Sequence, residues 1–521
     1  MIKRKILLLL VVVLSFVYLP ARDEDLWDSS LDKVGSMVSL IEENYFQKVD
    51  FEKLTYSSIR GVLETLDPHS YFLDPDSFSR MREDYTGKYY GLGIQIQKQE
   101  DRLVVISVIE GTPASRLGIL PGDVIATIEG ESTRPITSFD AMQKLRGPKG
   151  TKVTITIARE GFEKPLELTI AREEIPLHSV PYAFLLQGDV GYIFIRNFAG
   201  DTIDEFEEKM ASLSQQGMKS LILDLRQNSG GPFFQSVELS DELLPKGALV
   251  VSIRGRNKNY DKQFSAERDG KYEKVPLVIL IDQGTASASE IVAGAVMDND
   301  RGFLVGEDSF GKGLVQTVFP LAPNMAVALT TAKYYTPSGR SIQRDYSSFE
   351  DWLLNKEIPK ENREVKLTAK GRKVLGQGGI SPDYVVKFTI KPLTYEMRLR
   401  GAFFTYARKF ISHQTPLSKK YSFPQEQPAV GELSQGKILM TKDFVVTPEV
   451  VEDFKNYLLS LKIEFTPEKF AEAEEEIKKW IERELISAVW GIEEGWKVFS
   501  KTDPVVLKAI EIMPEAAKLV E

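Results

Sequence analysis

Two short apolar runs, at residues 220–225 and 277–281, constrain the fold of this chain more than any other feature. Each has the length and the almost wholly apolar composition of a strand that is buried on both faces of a parallel sheet. Segments at 202–216 and 288–297 are typical of helices and alternate with these runs. The alternation of strands and helices from about residue 190 to 390 predicts an α/β core.

The chain changes in character on either side of this core. Residues 26–84 carry apolar residues at helical spacing, whereas residues 85–172 contain short alternating strands punctuated by Gly, Pro and Asp. Near the end of the chain, Thr447-Pro448 and Thr466-Pro467 are helix starts, each a capping residue followed by proline at the first position. The C-terminal part is therefore predicted to be helical.

These segments predict a multidomain α+β protein. We expect a helical N-terminal segment at 22–84, a β-rich module at 85–172, an α/β core at 173–392 and a helical C-terminal domain at 393–521. The 521 residues are enough for three or four domains, at roughly 150 residues each.

Residues 1–21 have the pattern of an export signal. Lys3, Arg4 and Lys5 precede an apolar run at 6–19. The run is shorter than the roughly 20 residues of a comfortable transmembrane helix, and the cleavage region is poor. We therefore expect either a signal peptide or an N-terminal membrane anchor, with the rest of the chain exported to a bacterial periplasm or cell envelope.

The amino-acid composition removes several classes of chemistry. The chain has no cysteine, which excludes thiol nucleophiles, disulfides and thiolate metal sites. Its histidines are His69, His178 and His413, which argues against a histidine-rich metal centre, and we expect neither a metal nor a cofactor. With 66 basic and 75 acidic residues, we expect no nucleic-acid partner. We interpret His69 as part of a structural turn and assign no role to the other two.

Ser287 is the first candidate nucleophile, because it immediately precedes the helical segment 288–297. Helix N–H groups and the positive end of the helix dipole converge there, and the N–H of Ala288 would stabilise an oxyanion. The spacing of Ser287 and Glu290 is equally that of an inert capping box. This segment alone therefore leaves catalysis and helix capping both open.

Lys312 lies between Gly311 and Gly313 among apolar residues and is a candidate for burial. Burial disfavours the charged amine and lowers its pKa below the ordinary value of about 10.4. A neutral lysine can act as the general base of a Ser–Lys pair, and Gln316 is suitably spaced to orient it. A glycine-rich turn with an exposed lysine stays the alternative.

Residues 228–232, Asn-Ser-Gly-Gly-Pro, contain a rival serine. Ser229 resembles the nucleophile of trypsin-like proteases, but the upstream histidines are not arranged as such an enzyme requires. Gly230 and Gly231 have another potential use, because glycines after a strand expose N–H groups that can stabilise an oxyanion. A plain glycine turn stays open on the local sequence.

The segment Tyr90-Gly91-Leu92-Gly93, together with the glycine signature at 118–123, resembles a PDZ domain. In such a module the glycine loop exposes N–H groups to a peptide carboxylate, and the adjoining strand edge pairs with the extended peptide. The resemblance implies that Tyr90, Gly91, Leu92 and Gly93 bind the carboxylate.

Several motifs in order together resemble the carboxy-terminal processing (tail-specific) protease family, over about residues 30–390. They lie at residues 66–70, 90–94, 224–231, 285–291, 310–316, 335–340 and 378–383. The resemblance implies Ser287 as nucleophile, Lys312 as general base and Gln316 as the residue that positions the lysine. It also implies a core related in fold to the crotonase group, and protein or peptide substrates with free C-termini.

The same resemblance implies roles for residues outside the Ser–Lys pair. Ala288 and the Gly230-Gly231 loop would form the oxyanion hole. Arg146, in a Leu-Arg-Gly segment late in the PDZ module, would help to hold the active form.

Other functions stay open at this point. One is an inactive PDZ scaffold that binds protein C-termini, which the joint presence of Ser287, Lys312 and Gln316 argues against. Another is an acyl-CoA enzyme of the crotonase type, which an export signal disfavours. The third is a trypsin-like protease that uses Ser229. For the C-terminal helical domain, oligomerisation of this chain and docking of a partner are both open.

Overall fold

A computed structural model describes residues 24–99, 101–159, 162, 164–344, 359–424 and 437–521. The predicted signal or anchor at residues 1–21 lies outside the described residues. The chain divides into two compact units, residues 1–66 and 67–521. No helix in the described ranges is long and apolar enough to span a membrane.

The first unit contains helices α1 (Glu24–Asn44) and α2 (Phe51–Glu64). Asp50 begins α2 because its side chain accepts the N–H of Lys53, which would otherwise lack a partner at the helix start.

The second unit begins with a short connecting segment. Its elements are β1 (Tyr71–Leu73), α3 (Pro75–Thr86) and β2 (Lys88–Gly91). Asp74 caps α3 by accepting the N–H of Ser77 at 2.9 Å, and Pro75 occupies the first helical position. Gly87, with φ of +67°, ends the helix in the left-handed conformation that glycine tolerates.

A β module follows, built mainly from short antiparallel strands. Its elements are β3 (Ile94–Gln99), β4 (Arg102–Val108), α4 (Pro113–Arg116), β5 (Val124–Ile128), β6 (Glu131–Ser132), α5 (Ser138–Leu145), β7 (Lys152–Ala158) and β8 (Leu166–Ala171). In the described residues the strand order is β3-β4-β5-β7-β8, so that β3 lies at an edge of the sheet. Strand β9 (Glu173–Pro176) then pairs antiparallel with β2, and the chain therefore enters and leaves the module side by side.

In the described residues the α/β core combines two large sheets and a two-stranded sheet with three α-helices. Its elements are β10 (Tyr182–Leu185), β11 (Val190–Phe194), α6 (Thr202–Gln215), β12 (Ser220–Asp224), α7 (Phe233–Leu243), β13 (Leu249–Gly255), β14 (Lys262–Ser265), β15 (Leu277–Ile281), α8 (Ala288–Asp298), β16 (Phe303–Gly306), β17 (Leu314–Ala322), β18 (Met325–Tyr335), β19 (Val365–Leu367), β20 (Lys373–Leu375) and β21 (Tyr384–Val385). The predicted apolar runs are the central strands β12 and β15, and every residue of both is buried.

The core sheet, as we call it, has the order β10-β11-β12-β15-β16-β21 among the described residues, and its strands from β11 onward run parallel. Helices α6, α7 and α8 cover one face, where their apolar side chains share a cluster with those of the strands. The flanking sheet has the order β1-β18-β13-β14, with β17 also paired to β18. A register shift at Val315/Gln316 marks a bulge in β17.

The C-terminal region is largely helical, as predicted. Its elements are α9 (Pro392–Leu399), α10 (Ala402–Ile411), β22 (Tyr421–Ser422), β23 (Ile438–Leu439), α11 (Pro448–Ser460), α12 (Pro467–Trp490), α13 (Ile492–Ser500) and α14 (Pro504–Ala517). Thr447 and Thr466 cap α11 and α12 as their sequence pattern predicts.

Helix α14 does more than extend this domain. Its buried residues Val506, Ala509 and Ile512 pack against the second face of the core sheet, beside Val278 and Leu280. A parallel sheet must be covered on both faces, and here the last helix of the chain supplies part of the second layer. The predicted multidomain α+β fold class is confirmed, with this helix as an addition that its position in the sequence did not suggest.

Candidate active site

Ser287 lies at the start of α8, in a loop that follows β15. Its backbone has φ of +56° and ψ of −115°, an unusual conformation for a residue with a side chain and one typical of functional sites. Within the described residues the N–H of Ala288, the first of the helix, donates to no acceptor. That N–H is therefore available to a ligand at the positive end of α8.

Glu290 joins the loop of Ser287 to the loop of Lys312. Its carboxylate, which is inaccessible to solvent, accepts the backbone N–H groups of Ser287 at 2.8 Å and of Lys312 at 2.9 Å. It also accepts the N–H of Gly311 at 2.7 Å and the hydroxyl of Ser309 at 2.5 Å. Burial raises the pKa of Glu290, and these hydrogen bonds oppose that rise by stabilising the charged form.

Tyr334 makes a second bridge between the same two loops. Its hydroxyl lies 3.1 Å from the carbonyl oxygen of Ser287 and 2.6 Å from that of Lys312. Burial lowers the pKa of the Lys312 amine, while the charges of Glu290 and Asp67 oppose this effect. In the part of the chain that the structure describes, however, no hydrogen bond joins Ser287 Oγ to Lys312 Nζ.

Gln316 lies on β17, opposite Thr330 on β18. Its Nε2 is 3.5 Å from Thr330 Oγ1, a long hydrogen bond, and Thr330 Oγ1 in turn donates to Asp67 at 3.1 Å. The Asp67 carboxylate also accepts the hydroxyl of Ser70 at 2.8 Å. A polar network therefore runs from Gln316 to the segment that precedes β1.

His69 lies in that same segment, in the turn that the sequence predicts. Its backbone N–H donates to Asp67 Oδ1 at 2.8 Å. Burial and the charge of Lys312 lower the pKa of His69, so the imidazole belongs to the electrostatic environment of the lysine. Sequence reasoning gave no site role to Asp67, His69, Thr330 or Tyr334. The motif at residues 66–70 was a signal for Asp67 and His69.

The loop of Gly230 packs directly against Ser287. A Cβ at Gly230, whose φ is +99°, would stand 2.9 Å from Ser287 Cβ and 3.0 Å from the backbone N of Ala288. The N–H of Gly230 donates to Asn228 Oδ1 at 2.9 Å, so it is turned into its own loop. Among the described residues the N–H of Gly231 has no acceptor, and of the two glycines it is the donor left available.

Ser229, the rival nucleophile, lies in the same loop and is exposed. None of the described histidines makes a hydrogen bond to it. His178 Nδ1 lies 2.7 Å from Glu205, and His413 Nδ1 lies 2.9 Å from the carbonyl oxygen of Ser418. The arrangement therefore provides no imidazole base for Ser229.

The glycine loop of the β module lies where β2 gives way to the edge strand β3. Tyr90 and Gly91 pair with β9, whereas Leu92 is buried in the module and accepts the N–H of Ala114. At Gly93, with φ of +81°, a Cβ would collide with Thr112 at 2.3 Å. Among the described residues the N–H of Leu92 has no acceptor, which leaves it available to a carboxylate, whereas the N–H of Gly93 makes a hydrogen bond with the Tyr89 side chain.

Arg146 ends α5 and links the β module to α3. Its guanidinium donates to the Glu83 carboxylate at 2.5 Å and lies 4.2 Å from the ring centre of Tyr89. Burial raises the pKa of Glu83, and Arg146 opposes that rise. This geometry ties the end of α5 to the segment that leads into the module.

A cleft of about 1630 Å³ runs beside these elements. It is bordered by the edge strand β3 and by α5, by the carboxyl ends of strands in the core sheet, and by helices of the C-terminal domain. Ile94 and Met142 line it from the β module, and Trp480 lines it from α12. Ser287 and Lys312 do not line it, whereas Gln227 and Asp282 do.

Comparison with known proteins identifies three families along the chain. Residues 189–347 match peptidase family S41, residues 81–158 match the PDZ domain, and residues 20–77 match the N-terminal domain of the activating protease CtpB.

Individual relatives carry related names. The carboxy-terminal-processing protease of Bartonella bacilliformis is 39% identical over 317 residues, which cover 60% of this chain and 72% of that protein. The carboxy-terminal processing protease CtpA of Bacillus subtilis is 31% identical over 394 residues, which cover 75% and 82%. Among solved structures, a photosystem II D1 C-terminal processing protease is 29% identical, with coverage of 66% and 84% and a TM-score of 0.36.

Proposed function

The chain belongs to the carboxy-terminal processing proteases of peptidase family S41, and we propose that this serine-type peptidase uses Ser287 as its nucleophile and Lys312 as its general base. The observation that carries the proposal is the Glu290 carboxylate, which accepts N–H groups from both residues. A shared buried acceptor keeps the two loops together and supports a common catalytic role.

The chemistry follows from the local environments. Lys312, whose pKa is lowered by burial, takes the proton of Ser287 Oγ as the oxygen attacks a peptide carbonyl. The oxyanion forms near the N–H of Ala288, at the positive end of α8, and near the N–H of Gly231. The amine end of the cut chain leaves with the proton, and a water deprotonated by Lys312 then hydrolyses the acyl-enzyme.

The described arrangement is a resting one in this proposal. The backbones of Ser287 and Lys312 share Glu290 and Tyr334 as hydrogen-bond partners, yet no hydrogen bond joins Ser287 Oγ to Lys312 Nζ in the described residues. Catalytic hydrogen bonds often tighten only when substrate binds. We propose that substrate binding draws Lys312 onto Ser287 and Gln316 onto Lys312.

We propose further that the PDZ domain selects substrates by their free, apolar C-termini. The available N–H of Leu92 suits a terminal carboxylate, and the edge of β3 suits an added strand. Ile94 and Met142 offer apolar surface beside that edge. In this proposal Tyr90 and Gly91 support the loop, and the contact of Arg146 with Glu83 holds the module in its active position.

The cellular setting is also a proposal. The relatives from Bartonella bacilliformis and Bacillus subtilis are bacterial, and residues 1–21 have the pattern of an export signal. We propose that the enzyme acts in the periplasm or cell envelope, with residues 1–21 as signal or anchor. Fractionation of cells that express the full chain, with and without residues 1–21, tests this.

The decisive experiment compares serine variants on a peptide with an apolar C-terminus. Ser287→Ala and Lys312→Ala should each abolish cleavage, whereas Ser229→Ala should retain it. The same peptide with an amidated C-terminus should be cut more slowly, because it lacks the carboxylate. Full activity in Ser287→Ala together with loss of activity in Ser229→Ala would contradict this proposal and support a trypsin-like protease that uses Ser229.

A second outcome separates the peptidase from an inactive scaffold. If the wild-type protein binds the peptide tightly and no variant or substrate gives cleavage, the chain is a C-terminus-binding scaffold. Mass spectrometry of the products distinguishes the two, because only a peptidase generates new termini.

A further inference from the structure

A buried ion cluster joins the end of β12 to the beginning of α14. Arg226 Nη2 donates to Asp224 Oδ2 at 2.6 Å, and Arg226 Nη1 donates to Asp503 Oδ2 at 2.8 Å. Asp224 also accepts the hydroxyl of Tyr192 at 2.6 Å. The side chains of Asp224 and Asp503 are 2% and 5% exposed, and that of Arg226 is 16% exposed. The cluster therefore connects the core to the C-terminal domain at the wall of the cleft, which Asp224, Arg226 and Asp503 all line.

The two carboxylates act on Arg226 together. Burial by itself disfavours the charged guanidinium, but Asp224 and Asp503 outweigh it and raise the pKa of Arg226 above its ordinary value. A buried charge that loses one partner becomes poorly compensated, and its side chain must move to find another. The position of Arg226 thus depends on Asp503 as well as on its neighbour Asp224.

From Gln227 to Gly230, the residues other than the exposed Ser229 make hydrogen bonds that hold this loop beside Ser287. Gln227 donates its N–H and its side-chain amide to Asp282, both at 2.8 Å. Asn228 is buried and donates to the carbonyl oxygen of Ile195 at 2.9 Å, while it accepts the N–H of Gly230. Gly230 then packs against Ser287 without room for a Cβ. Because of these contacts, we expect a displacement of Arg226 to be transmitted along the loop to Gly230.

Asp503 itself is fixed by two roles. It caps α14, accepting the N–H of Val505 at 2.8 Å and that of Val506 at 3.4 Å, and it pairs with Arg226. Because α14 packs on the core sheet, the cap holds the carboxylate in place relative to β12.

We propose that Asp503 is a positioning residue for the peptidase reaction: through Arg226 it holds the loop of Gly230 and Gly231 in the geometry that an oxyanion at Ser287 requires. This inference rests on the proposed function, because it takes Ser287 as the nucleophile. It gives the C-terminal helical domain a part in catalysis that is separate from its part in folding.

The test uses Asp503→Asn in the full chain. Asparagine caps helices as well as aspartate does, so α14 keeps its start, but the negative charge toward Arg226 is lost. We expect kcat on the apolar-ended peptide to fall by about 10- to 100-fold, the range caused by small misplacements of catalytic groups. KM should stay within about twofold, because the residues that bind the peptide terminus are untouched.

A matched control lies at the other end of the same helix. Glu515 accepts the hydroxyl of Tyr384 at 2.6 Å, which is also a polar contact between α14 and the core. Glu515→Gln should leave kcat unchanged. Equal losses of kcat in Asp503→Asn and Glu515→Gln would overturn the inference, because they would reduce it to a general requirement for docking of α14.

Arg226→Lys provides a second variant, which leaves the residues of α14 and its capping residue Asp503 unchanged in sequence. Lysine keeps the charge but lacks the planar fork that serves both carboxylates, so kcat should fall in the same range. In the double variant the losses should not add, because both substitutions break one interaction. Additive losses of kcat would contradict the proposed link between Asp503 and Arg226. If Asp503→Asn does not fold, the kcat of Arg226→Lys alone tests the proposal, and an unchanged kcat would contradict it.

Labelling with a fluorophosphonate separates failure of this inference from failure of the proposed function. If the label is found on a residue other than Ser287, the proposed nucleophile is wrong. If Ser287 is labelled at the wild-type rate in both Asp503→Asn and Arg226→Lys, the assignment of Ser287 as nucleophile is supported. The positioning role of Asp503 is then contradicted. We expect labelling of Ser287 to slow in both variants while their circular dichroism spectra match the wild type.

Discussion

The carboxylate of Glu290 accepts the backbone N–H of Lys312 at 2.9 Å, across a gap of 22 residues in the sequence. Glu290 belongs to the first turn of α8, so the helix that begins after Ser287 also determines where the lysine loop lies. The S-x-x-E pattern at Ser287 and Glu290 was open to two interpretations, capping and catalysis. In the structure Glu290 makes one of the two hydrogen bonds of a capping box, because it accepts the N–H of Ser287. The same carboxylate also contacts the loop of Lys312.

Substitution of this carboxylate should damage both folding and activity. In Glu290→Gln the amide keeps one acceptor oxygen, and its NH₂ group faces N–H donors that the carboxylate had satisfied. We expect a loss of unfolding free energy of about 2 kcal/mol or more, from buried donors without partners, and little residual peptidase activity. Glu475→Gln, which removes an exposed pair with Lys478, should change stability by less than about 1 kcal/mol. Denaturant titration of both variants measures this, and equal effects would speak against an organising role for Glu290.

The pH dependence of cleavage should report the environment of Lys312. A lysine base works only when neutral, so kcat/KM should rise with pH through its pKa, which burial lowers. The charge of Asp67 raises that pKa, and removal of the charge in Asp67→Asn should lower it further. The rising limb of the pH–rate profile should therefore move to lower pH.

Asp189→Asn is the control for the pH experiment, because Asp189 pairs with Lys219 on the surface. Its profile should match that of the wild type. A shift of the Asp67→Asn profile to higher pH would contradict the assignment of Lys312 as the group that titrates.

The central strands of the core sheet could be predicted because the signal for each strand lies within a few consecutive residues. The apolar runs at β12 and β15 are short, continuous and bounded, which is sufficient to indicate buried parallel strands. The role of α14 could not be predicted in the same way. Its periodicity shows that it has an apolar face, but not that this face covers strands more than 200 residues earlier in the chain.

The candidate site shows the same division. Ser287, Lys312 and Gln316 stand in recognisable motifs, and their catalytic roles stay predictions. Asp67 and Thr330 were not predicted as site residues because their hydrogen bond joins two distant segments. Asp67 stands in the motif at residues 66–70, which does not reveal its partner, and Thr330 has no distinctive local pattern. The direction of a single N–H is equally invisible in sequence, so Gly230 and Gly231 looked equivalent, whereas the N–H of Gly230 is occupied by Asn228.

Gly230 should tolerate no side chain. In Gly230→Ala the new Cβ would meet Ser287 Cβ and the carbonyl oxygen of Ala286, each at 2.9 Å, in a left-handed conformation that alanine disfavours. We expect a stability loss of about 1–3 kcal/mol and a fall in kcat of about 100-fold or more, as the oxyanion loop is pushed away.

Gly217 offers a control with the same backbone and no crowding. It follows α6 with φ of +92°, and a Cβ there meets nothing within 4 Å. Gly217→Ala should lose about 1 kcal/mol of stability from backbone strain alone and keep its kcat. If Gly230→Ala keeps wild-type kcat, the close packing of this loop on Ser287 has no part in catalysis.

Helix α14 should contribute to the stability of the core sheet through its inner face. Ile512 is 1% exposed and contributes to the apolar cluster on the second face of the sheet, whereas Leu507 on the same helix is 43% exposed. Ile512→Ala should cost about 2–5 kcal/mol, because it removes buried methyl groups and leaves a cavity, and Leu507→Ala should cost less than about 0.5 kcal/mol. Both changes are measured by denaturant unfolding followed through tryptophan fluorescence. The two variants have similar helix propensity, so a difference between them reports packing on the sheet; equal midpoints would mean that the sheet does not depend on α14 for its second layer.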